Sequence, residues 1–350
     1  MLRTALPLGC RLICYADDTL VIARGKEWRE ARDAANEASR AVVCSVRAMG
    51  LEVAPQKTEA IYLYGKAMGR PPPTEIWVGE ARVRVGTHMK YLGLTLDGLW
   101  GFEQHFALTV PKTDRMAAAL SRLLPNVGGP ASRTRRLYAN VVQSVFLYGA
   151  PVWAGAAMAS RRIKAAIHRL QRRLAVRLIR AYCTTSFVAA TALAGIIPAE
   201  FLAESYAEVY RRTRKPDGLG GARLRPRAVA IIRMDARQGA IRKWQDALRI
   251  PEAGRWTTQA IQPCLPEWAD RRGHGLGFHL TQVLTGHGCF GEYLCRIGRE
   301  HTTGCHHCAA GRDSAQHTLV ECEAWAEERR RSEEHTSELQ SRGLISYAVF

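Results

Sequence analysis

The sequence of 350 residues lacks any long uninterrupted apolar stretch and is poor in acidic residues. No segment approaches the roughly 18 consecutive apolar residues of a membrane-spanning helix, and the N-terminus has no long apolar region typical of a secretory signal. Asp and Glu together number 32, against 50 Lys and Arg. The resulting formal charge of +18 favours a polyanionic partner, with nucleic acid ahead of an anionic membrane surface.

The sequence also lacks the cysteine pattern of a disulfide-rich secreted protein. Its 10 cysteines are scattered over the whole length, and three of them fall in one short C-terminal cluster beside histidines. This distribution predicts an intracellular protein with one metal site. The other cysteines are expected to be small buried apolar residues.

Two adjacent carboxylates, Asp17 and Asp18, interrupt the apolar stretch CRLICYADDTLVIARG. The flanking segments RLIC and TLVIA are short and β-prone, which predicts a β-hairpin with Tyr15, Ala16 and the two aspartates at its bend. Neighbouring strand residues point to opposite faces, so only one aspartate is expected to aim fully at a given point. Paired carboxylates suit Mg²⁺, which phosphoryl-transfer sites use; the alternative is a solvated Asp-Asp turn.

The residues after this hairpin predict an ordered series of elements. Apolar residues at helical spacing predict a helix that Gly50 closes, and a turn containing Lys57 then leads into a strand. The segment MKYLGLTLD, residues 89–97, predicts a further strand with Gly93 in its middle.

Four segments in this order, CYADDTLVIARG, GLEVAPQKTEAIYL, YLGLTLD and LYGAPVWA, resemble non-LTR (LINE-type) retrotransposon polyproteins. The first segment carries the YxDD pattern of reverse transcriptases. The resemblance implies an α+β fold: a partial reverse-transcriptase palm, a mainly helical thumb and connection, and a C-terminal zinc knuckle. It implies an RNA-directed DNA polymerase, a nucleotidyltransferase of a transposable element, which is intracellular and is nuclear when it acts on a chromosomal target.

The same resemblance implies roles for individual residues. Asp17 and Asp18 match the catalytic carboxylates that bind Mg²⁺, and Lys57 matches a lysine proposed to protonate the pyrophosphate leaving group. The alternative for Lys57 is an ordinary surface lysine. The residues that match primer-contacting positions are Tyr15, Tyr91, Leu92 and Gly93. The implied partners are an RNA template and a DNA target or primer.

One feature of the reverse-transcriptase pattern is missing before the hairpin. Reverse transcriptases carry another metal-binding aspartate on an earlier palm strand, and residues 1–7 contain none. We therefore expect a fragment with an incomplete two-metal Mg²⁺ site, inactive as a polymerase without the N-terminal region of its parent polyprotein. The alternatives are a non-catalytic nucleic-acid-binding remnant and a mispredicted gene from a degenerate retroelement.

The segment SRRIKAAIHRLQRRLAVRLIRAY, residues 160–182, predicts an amphipathic basic helix within a run of helices from 100 to 195. Its apolar stripe consists of Ile163, Ile167, Leu170, Leu174 and Leu178. Another face carries Arg162, Arg169, Arg173 and Arg180. Arginines at this density repel one another, so they suit a phosphate backbone. The alternative is a solvated charged face.

The segment CHHCAAGRDSAQHTLVEC predicts a structural zinc site. Cys305 and Cys308 are separated by two residues, His317 follows after eight more, and Cys322 follows after a further four. Three thiolates and one imidazole complete a tetrahedral Zn²⁺ site with no open position, so the metal would stabilise the fold. His306 and His307 are spare donors that can replace a ligand, and the alternative is a set of unligated cysteines.

The domain organisation follows from these segments. We predict a palm portion at 1–98, a helical thumb and basic connection at 99–213, and a basic linker at 214–227. A C-terminal helical region at 228–330 would contain the zinc knuckle, 305–322. The tail at 331–350 begins with RSEEHTSELQS, which reads as a translated sequencing adapter and is interpreted as an artefact.

Overall fold

The computed structural model describes residues 5–214, 224–271 and 275–332. The chain divides into two compact units, the first formed by Met1–Pro111 with Val152–Lys164 and the second by Lys112–Pro151 with Ala165–Phe350. Most of the predicted basic linker and nearly all of the adapter-like tail lie outside the described residues. The fold is mixed α and β, in agreement with the predicted α+β class. The domain boundaries within that class stay a prediction.

The first unit contains seven short strands in three small sheets. The strands are β1 (Arg11–Tyr15), β2 (Asp18–Ile22), β3 (Ala60–Ile61), β4 (Glu75–Val78), β5 (Ala81–Gly86), β6 (His88–Tyr91) and β7 (Leu94–Asp97). Strands β1 and β2 form an antiparallel hairpin, and β6 and β7 form another. The remaining sheet has the order β3-β5-β4, with β3 parallel to β5.

The core of the first unit lies between the three-stranded sheet and a long helix, α1 (Trp28–Ala48). The predicted apolar positions of α1 include Val42 and Val46, which are buried as expected. Its end is confirmed as well, because Gly50 follows the helix with φ of +74°. Val43 packs with Ile76 and Val78 of β4, whose side chains alternate between buried and exposed as on a half-covered sheet.

The prediction of a single strand with Gly93 in its middle was wrong. Residues 88–97 form the β6–β7 hairpin, in which Tyr91 pairs with Leu94 across a two-residue turn. Leu92 and Gly93 have φ of +45° and +81°, the pair of positive angles typical of a type I′ turn. Glycine permits this geometry, whereas two consecutive residues with positive φ cannot continue a strand.

The remaining structure is almost entirely helical, which agrees with the predicted run of helices from 100 to 195. Those helices are α2 (Glu103–Ser121), α3 (Ser132–Phe146), α4 (Ala150–Ala159), α5 (Arg161–Leu178) and α6 (Phe187–Ala194). They are followed by α7 (Ala199–Thr213), α8 (Pro226–Ala247), α9 (Arg255–Ile261), α10 (Leu265–Asp270), α11 (Phe278–Thr285) and α12 (Gly291–Arg296). Ser132 is the first residue of α3, and Ala131 occupies the N-cap position without a side-chain hydrogen bond.

The core of the second unit is much larger than that of the first. It joins the C-terminal half of α5 to α6, α8, α9 and α10, with Leu193, Trp244 and Leu265 almost completely buried at its centre. Helix α7 packs along α8, where Lys243 forms an ion pair of 2.7 Å with Glu204. Residues on both sides of the undescribed segment 215–223 therefore contribute to one helical assembly.

Among the described residues, no single helix has both the length and the apolar composition needed to cross a membrane. Two pairs of consecutive helices, α3 with α4 and α6 with α7, meet the length and composition criteria only when the two helices of a pair are counted together.

Candidate functional site

The four predicted zinc ligands lie together in the second unit. The ligand atoms of Cys305, Cys308, His317 and Cys322 are all within 4.8 Å of one another. The Sγ atoms of Cys305 and Cys322 are 3.9 Å apart, and Sγ of Cys308 is 3.3 Å from Nε2 of His317. His317 and Cys322 are buried, whereas the two N-terminal cysteines are partly exposed. The structure thus gathers one nitrogen and three sulfur donors from opposite ends of an 18-residue segment.

Two backbone features bring these donors together. The N–H of Cys305 donates to the carbonyl of Ala310 at 2.9 Å, which closes the loop containing the first two cysteines. The segment His317–Glu321 forms one π-helical turn, and the N–H of Cys322 donates to the carbonyl of His317 at 2.7 Å. Because this turn is wider than an α-helical turn, residues five positions apart become neighbours, and both can face one centre.

The surroundings of the cluster shift the pKa of two thiols in opposite directions. Burial raises the pKa of Cys305, but the N–H groups of His307 and Cys308 and the side chains of His317 and Cys308 outweigh it and lower this pKa to about 7. Burial is the main cause that raises the pKa of Cys322, and its hydrogen bonds with the other two thiols raise it further. Thiolates this close together repel one another, so a bound cation would favour their deprotonation.

The donor set and its spacing fit Zn²⁺. Two sulfurs that are each about 2.3 Å from a tetrahedral zinc lie about 3.8 Å apart, close to the observed separation of Cys305 and Cys322. That separation is far longer than a disulfide bond. On the other side of the imidazole, Nδ1 of His317 is 3.7 Å from a carboxylate oxygen of Glu321. A carboxylate in this position orients a metal-ligating histidine.

The two spare histidines are not part of the donor cluster. The ring of His307 makes an edge contact with Trp325, with 5.1 Å between the ring centroids, and its backbone N–H donates to Sγ of Cys305 at 3.4 Å. Nε2 of His306 is 3.8 Å from a carboxylate oxygen of Glu300. The structure therefore selects His317 from the three histidines of this segment.

Asp313 supports the knuckle and was missed in the sequence analysis. This residue is buried, and its carboxylate accepts hydrogen bonds of 2.9 Å from the N–H of Gly291 and from the hydroxyl of Thr318. Its backbone N–H donates to the carbonyl of Thr303, and its carbonyl accepts from Glu292. Asp313 therefore joins both halves of the knuckle to the start of α12. The only sequence signal for this role is an acidic residue between the metal ligands. That signal becomes informative only when the residue is known to be buried, which the sequence does not show.

The predicted hairpin around the aspartate pair is present in the first unit. Tyr15 pairs with Asp18, so the turn itself consists of Ala16 and Asp17. Cross-strand partners share a sheet face, which places Asp18 beside Tyr15, whereas Asp17 lies in the turn. All four residues are exposed, and Ala16 has φ of +51°, a strained value for a residue with a Cβ atom.

The described residues offer only part of a Mg²⁺ site at this hairpin. The sole group of three or more potential metal ligands within the described ranges is the Cys/His cluster of the knuckle. Asp17 and Asp18 thus have no third metal-binding partner in the described part of the chain, and two carboxylates alone do not complete a two-metal site.

The other residues matched to the polymerase pattern lie in separate elements of the first unit. Lys57 is exposed and ends a short 3₁₀ turn, Pro55–Lys57, which packs against β5. Tyr91, Leu92 and Gly93 form the end of β6 and the turn that follows it. Neither the 3₁₀ turn of Lys57 nor the sheet that carries Tyr91 belongs to the β1–β2 hairpin.

The predicted basic helix exists, but its last arginine does not belong to it. All five apolar residues of the predicted stripe are buried, from Ile163 to Leu178. Arg162, Arg169 and Arg173 are exposed on α5, where Arg162 approaches Glu103 at 3.9 Å and Arg173 pairs with Asp114 at 2.8 Å. The helix ends at Leu178, and Arg180 lies beyond it with φ of +61°. Arg180 therefore cannot continue the predicted helical face.

The two histidines that precede the knuckle differ in their surroundings. His279 is exposed, whereas His287 is partly buried, with Nδ1 3.2 Å from the hydroxyl of Thr185 and its ring 4.7 Å from that of Tyr293. Burial is the main cause that lowers the pKa of His287 to about 4, and the charge of Arg296 adds to it. His287 is thus neutral near pH 7 and contributes to packing.

Comparison with known proteins gives relatives of one kind. The chain is 26% identical over 329 residues to a 115 kDa protein in type-1 retrotransposable element R1DM of Drosophila melanogaster. It is 26% identical over 339 residues to a retrovirus-related Pol polyprotein from R1 element 4 of Nasonia vitripennis, and 24% identical over 341 residues to the corresponding R1 polyprotein of Bradysia coprophila. No protein-family model matches the chain, and no solved structure matches it significantly.

The extent of these matches differs between the relatives. They cover 91%, 89% and 92% of this chain, respectively. The chain spans 31% of the Drosophila protein and 32% of the Bradysia polyprotein, but 84% of the Nasonia polyprotein. Its homologues, at about 26% identity over about nine-tenths of the chain, are the Pol polyproteins of R1 non-LTR retrotransposons.

Proposed function

We propose that this chain is part of an RNA-directed DNA polymerase of an R1-type retrotransposon. The observation that carries the proposal is the exposed hairpin with Tyr15, Asp17 and Asp18 at its turn, in a chain whose homologues are Pol polyproteins. In the complete polymerase the two aspartates would bind Mg²⁺, the metal that assists nucleotidyl transfer. A further carboxylate has to come from polypeptide other than the described residues. The polymerase would copy element RNA onto a DNA target.

In this proposal residues 1–98 are a palm portion, and the helices within residues 99–213 are a thumb and connection. Lys57 and the turn at Leu92 and Gly93 would assist leaving-group protonation and primer binding, respectively. The exposed arginines of α5, Arg169 and Arg173, supply positive charge for a phosphate backbone. The zinc knuckle would stabilise the C-terminal part of the second unit.

A second function, nucleic-acid binding without catalysis, is favoured by one specific observation. The described residues assemble a complete set of zinc donors but place no third metal-binding residue with Asp17 and Asp18. The formal charge of +18 supports binding to a polyanion whether or not a polymerase site is completed.

Primer extension tests whether this chain catalyses nucleotidyl transfer by itself. The purified chain is incubated with Mg²⁺, deoxynucleotides and a DNA primer annealed to an RNA template, beside variants Asp17→Asn and Asp33→Asn. Asp33 is an exposed aspartate of α1 that forms a local hydrogen bond with Arg32, so it is a matched control. Extension that D17N abolishes and D33N retains would support catalysis by this chain. Salt-sensitive binding of the template–primer without extension agrees with both functions, because catalysis needs a further carboxylate, and the genomic locus then separates them.

Sequencing of the genomic locus tests the role in a longer polymerase. Long reads should extend well beyond both ends of the region that encodes this chain. The proposal expects an open frame upstream that encodes the further palm aspartate. Stop codons or unrelated sequence immediately upstream would contradict it and leave binding as the activity to assay.

A further inference from the structure

A cleft of about 530 Å³ opens in the second unit among α3, α7, α8 and the residues that follow α6 and α10. Its polar wall contains Arg136, Asn140, Gln143, Arg237 and Arg271. Its apolar wall includes Ile197, Leu202 and Tyr206. The volume is within the range of about 300–1,000 Å³ that small-molecule sites occupy.

The lining of this cleft is strongly unbalanced in charge. Three arginines line it, and no acidic residue is among its described lining residues. Arg237 pairs with Asp270 at 2.7 Å, and the carbonyl oxygens that Arg136 and Arg271 contact carry no net charge. Burial and the charge of Arg237 lower the pKa of Arg136, and burial and the charge of Arg136 lower that of Arg271 to about 10. An anion would relieve this repulsion.

The protein backbone holds two of the guanidinium groups in place. Arg271 donates from Nη1 to the carbonyl of Trp268 at 2.6 Å and from Nη2 to that of Leu193 at 2.7 Å, and its guanidinium carbon is 4.0 Å from the centre of the Trp268 ring. Arg136 donates from Nη1 to the carbonyl of Gly195 at 3.3 Å. A guanidinium has five N–H donors, so both arginines keep donors for a ligand. Their positions are set before any ligand binds.

Gly195 permits this close arrangement. It follows α6 with φ of +60°, and a Cβ atom there would lie 3.3 Å from Cα of Ala269 and 3.5 Å from Nη1 of Arg271. A side chain at this position would therefore be strained and would press on the arginine that it adjoins.

Gln143 adds an amide to the same wall of the cleft. The residue is 9% exposed, and it lines the cleft. Its amide atoms are not among the buried side-chain atoms that lack a partner, so they are open to hydrogen bonds with a ligand in the cleft. Asn140, one helical turn earlier on α3, adds an exposed amide to the same wall.

We propose that this cleft binds a phosphate group of a nucleic-acid strand. Guanidinium groups bind phosphate oxygens through paired N–H donors, which suits three converging arginines. The amide of Gln143 would hydrogen-bond the same phosphate or its sugar, and the adjoining nucleoside would lie against Tyr206. The choice of a strand as the source of the phosphate rests on the proposed function, whereas the phosphate site itself rests on the cleft.

The test compares two arginines that are alike except for the cleft. Arg237→Gln removes a cleft charge, and Arg249→Gln removes one elsewhere. Each arginine is exposed and pairs with an aspartate, Arg249 with Asp246 at 3.1 Å. Binding of fluorescein-labelled 12-nucleotide RNA and DNA is measured by anisotropy over a salt series with the full chain. Binding of inorganic pyrophosphate and AMP is measured by calorimetry. Gln143→Leu is a second cleft variant, and thermal unfolding checks the fold of each variant.

We expect R237Q to weaken strand binding about tenfold and to reduce the salt slope by about one, because one phosphate contact is lost. R249Q should change affinity less than about twofold, as a distant surface charge does. Q143L should weaken binding at unchanged salt slope, because it removes a hydrogen bond but no charge.

The remaining outcomes are distinct. Equal effects of R237Q and R249Q would overturn the proposal. If R237Q changes only pyrophosphate or AMP binding, the strand assignment is overturned in favour of a free nucleotide. If the wild-type chain binds no strand but binds pyrophosphate in an Arg237-dependent manner, the phosphate site stands and the proposed nucleic-acid function fails. Binding of neither probe would overturn both.

Discussion

At the scale of single residues, the zinc donors show how much a local pattern can predict. The spacing of Cys305, Cys308, His317 and Cys322 predicted a tetrahedral set, and these four residues are the ones whose ligand atoms converge. The choice among three histidines depended on the π-helical turn, which brings His317 beside Cys322. Sequence spacing alone left His306 and His307 as substitutes because neighbouring residues of a loop can face either way.

Removal of one thiol should remove the metal. We expect the wild-type chain to contain one zinc per molecule and Cys308→Ser to contain far less, because an alcohol is a poor replacement for a thiolate ligand. The measurement is metal content by mass spectrometry after dialysis. Cys183→Ser is the control, since Cys183 is exposed and outside the cluster. Retention of one zinc by C308S, or loss of zinc in His307→Ala but not in His317→Ala, would contradict the assignment.

The lowered pKa of His287 predicts a pH dependence of stability. Its folded-state pKa of about 4 lies below the ordinary value of about 6.5, so between these pH values the unfolded chain binds a proton that the folded chain does not. The stabilising contribution is fully present above about pH 6.5 and is lost as pH falls towards 4. At pH 5 the loss is about 2 kcal/mol.

Urea unfolding at pH 7 and pH 5 measures this effect. The free energy of unfolding of the wild-type chain should fall more steeply between the two pH values than that of His287→Asn, which cannot take up the proton. His279→Asn is the control, because His279 is exposed and should keep the wild-type slope. Identical slopes for H287N and the wild-type chain would show that His287 is not held neutral by the fold.

At the scale of elements, helix α5 was predicted well on its buried side and less well at its end. Apolar residues every three or four positions predicted the stripe from Ile163 to Leu178, and all five are buried. The same periodicity extended the basic face to Arg180, but the helix ends at Leu178 and Arg180 adopts a left-handed conformation. A periodic pattern does not show where backbone hydrogen bonding stops, because no glycine or proline marks that point.

Truncation of Ile167 tests the contribution of this stripe. Ile167 is fully buried, so Ile167→Ala should lower the free energy of unfolding of the second unit by about 2–5 kcal/mol through lost burial and a cavity. Ile231 on α8 is 53% exposed, and Ile231→Ala should cost less than about 0.5 kcal/mol. Denaturant unfolding compares the two variants. Equal losses of unfolding free energy in the two variants would contradict a stabilising role for the buried apolar face of α5.

The hairpins show a related limit at the same scale. Strand-turn-strand patterning predicted the β1–β2 hairpin correctly, in which Asp17 lies in the turn and Asp18 begins β2. The same patterning predicted one strand in place of β6 and β7, because an isolated glycine in a strand is compatible with a bulge as well as with a turn. Only the pairing of Tyr91 with Leu94 distinguishes these cases.

At the scale of the whole molecule, the two compact units differ greatly in their cores. The first has a cluster built on Val43, Ile76 and Val78, whereas the core of the second joins five helices and includes Trp244 and Leu265. Buried apolar area is the main source of stability, so the first unit should be the less stable of the two.

Chemical denaturation should therefore proceed in two steps. We expect Val43→Ala to move only the first transition to lower denaturant and I167A to move only the second. Far-ultraviolet circular dichroism follows the helical second unit, and hydrogen exchange with mass spectrometry assigns each step to its segments. A single transition that both variants shift equally would show that the units unfold together.

The sequence by itself determined the Asp17–Asp18 hairpin, the apolar stripe of α5 and the four zinc donors, and the resemblance implied the α+β class. These features depend on interactions between residues that are near in the chain, so periodicity and spacing are sufficient to predict them. The tertiary structure alone decided the end of α5, the role of Asp313 and the cleft formed by Arg136, Arg237 and Arg271. Arg237 lies 101 positions after Arg136 and 34 positions before Arg271, and only the packing of helices brings their charges together.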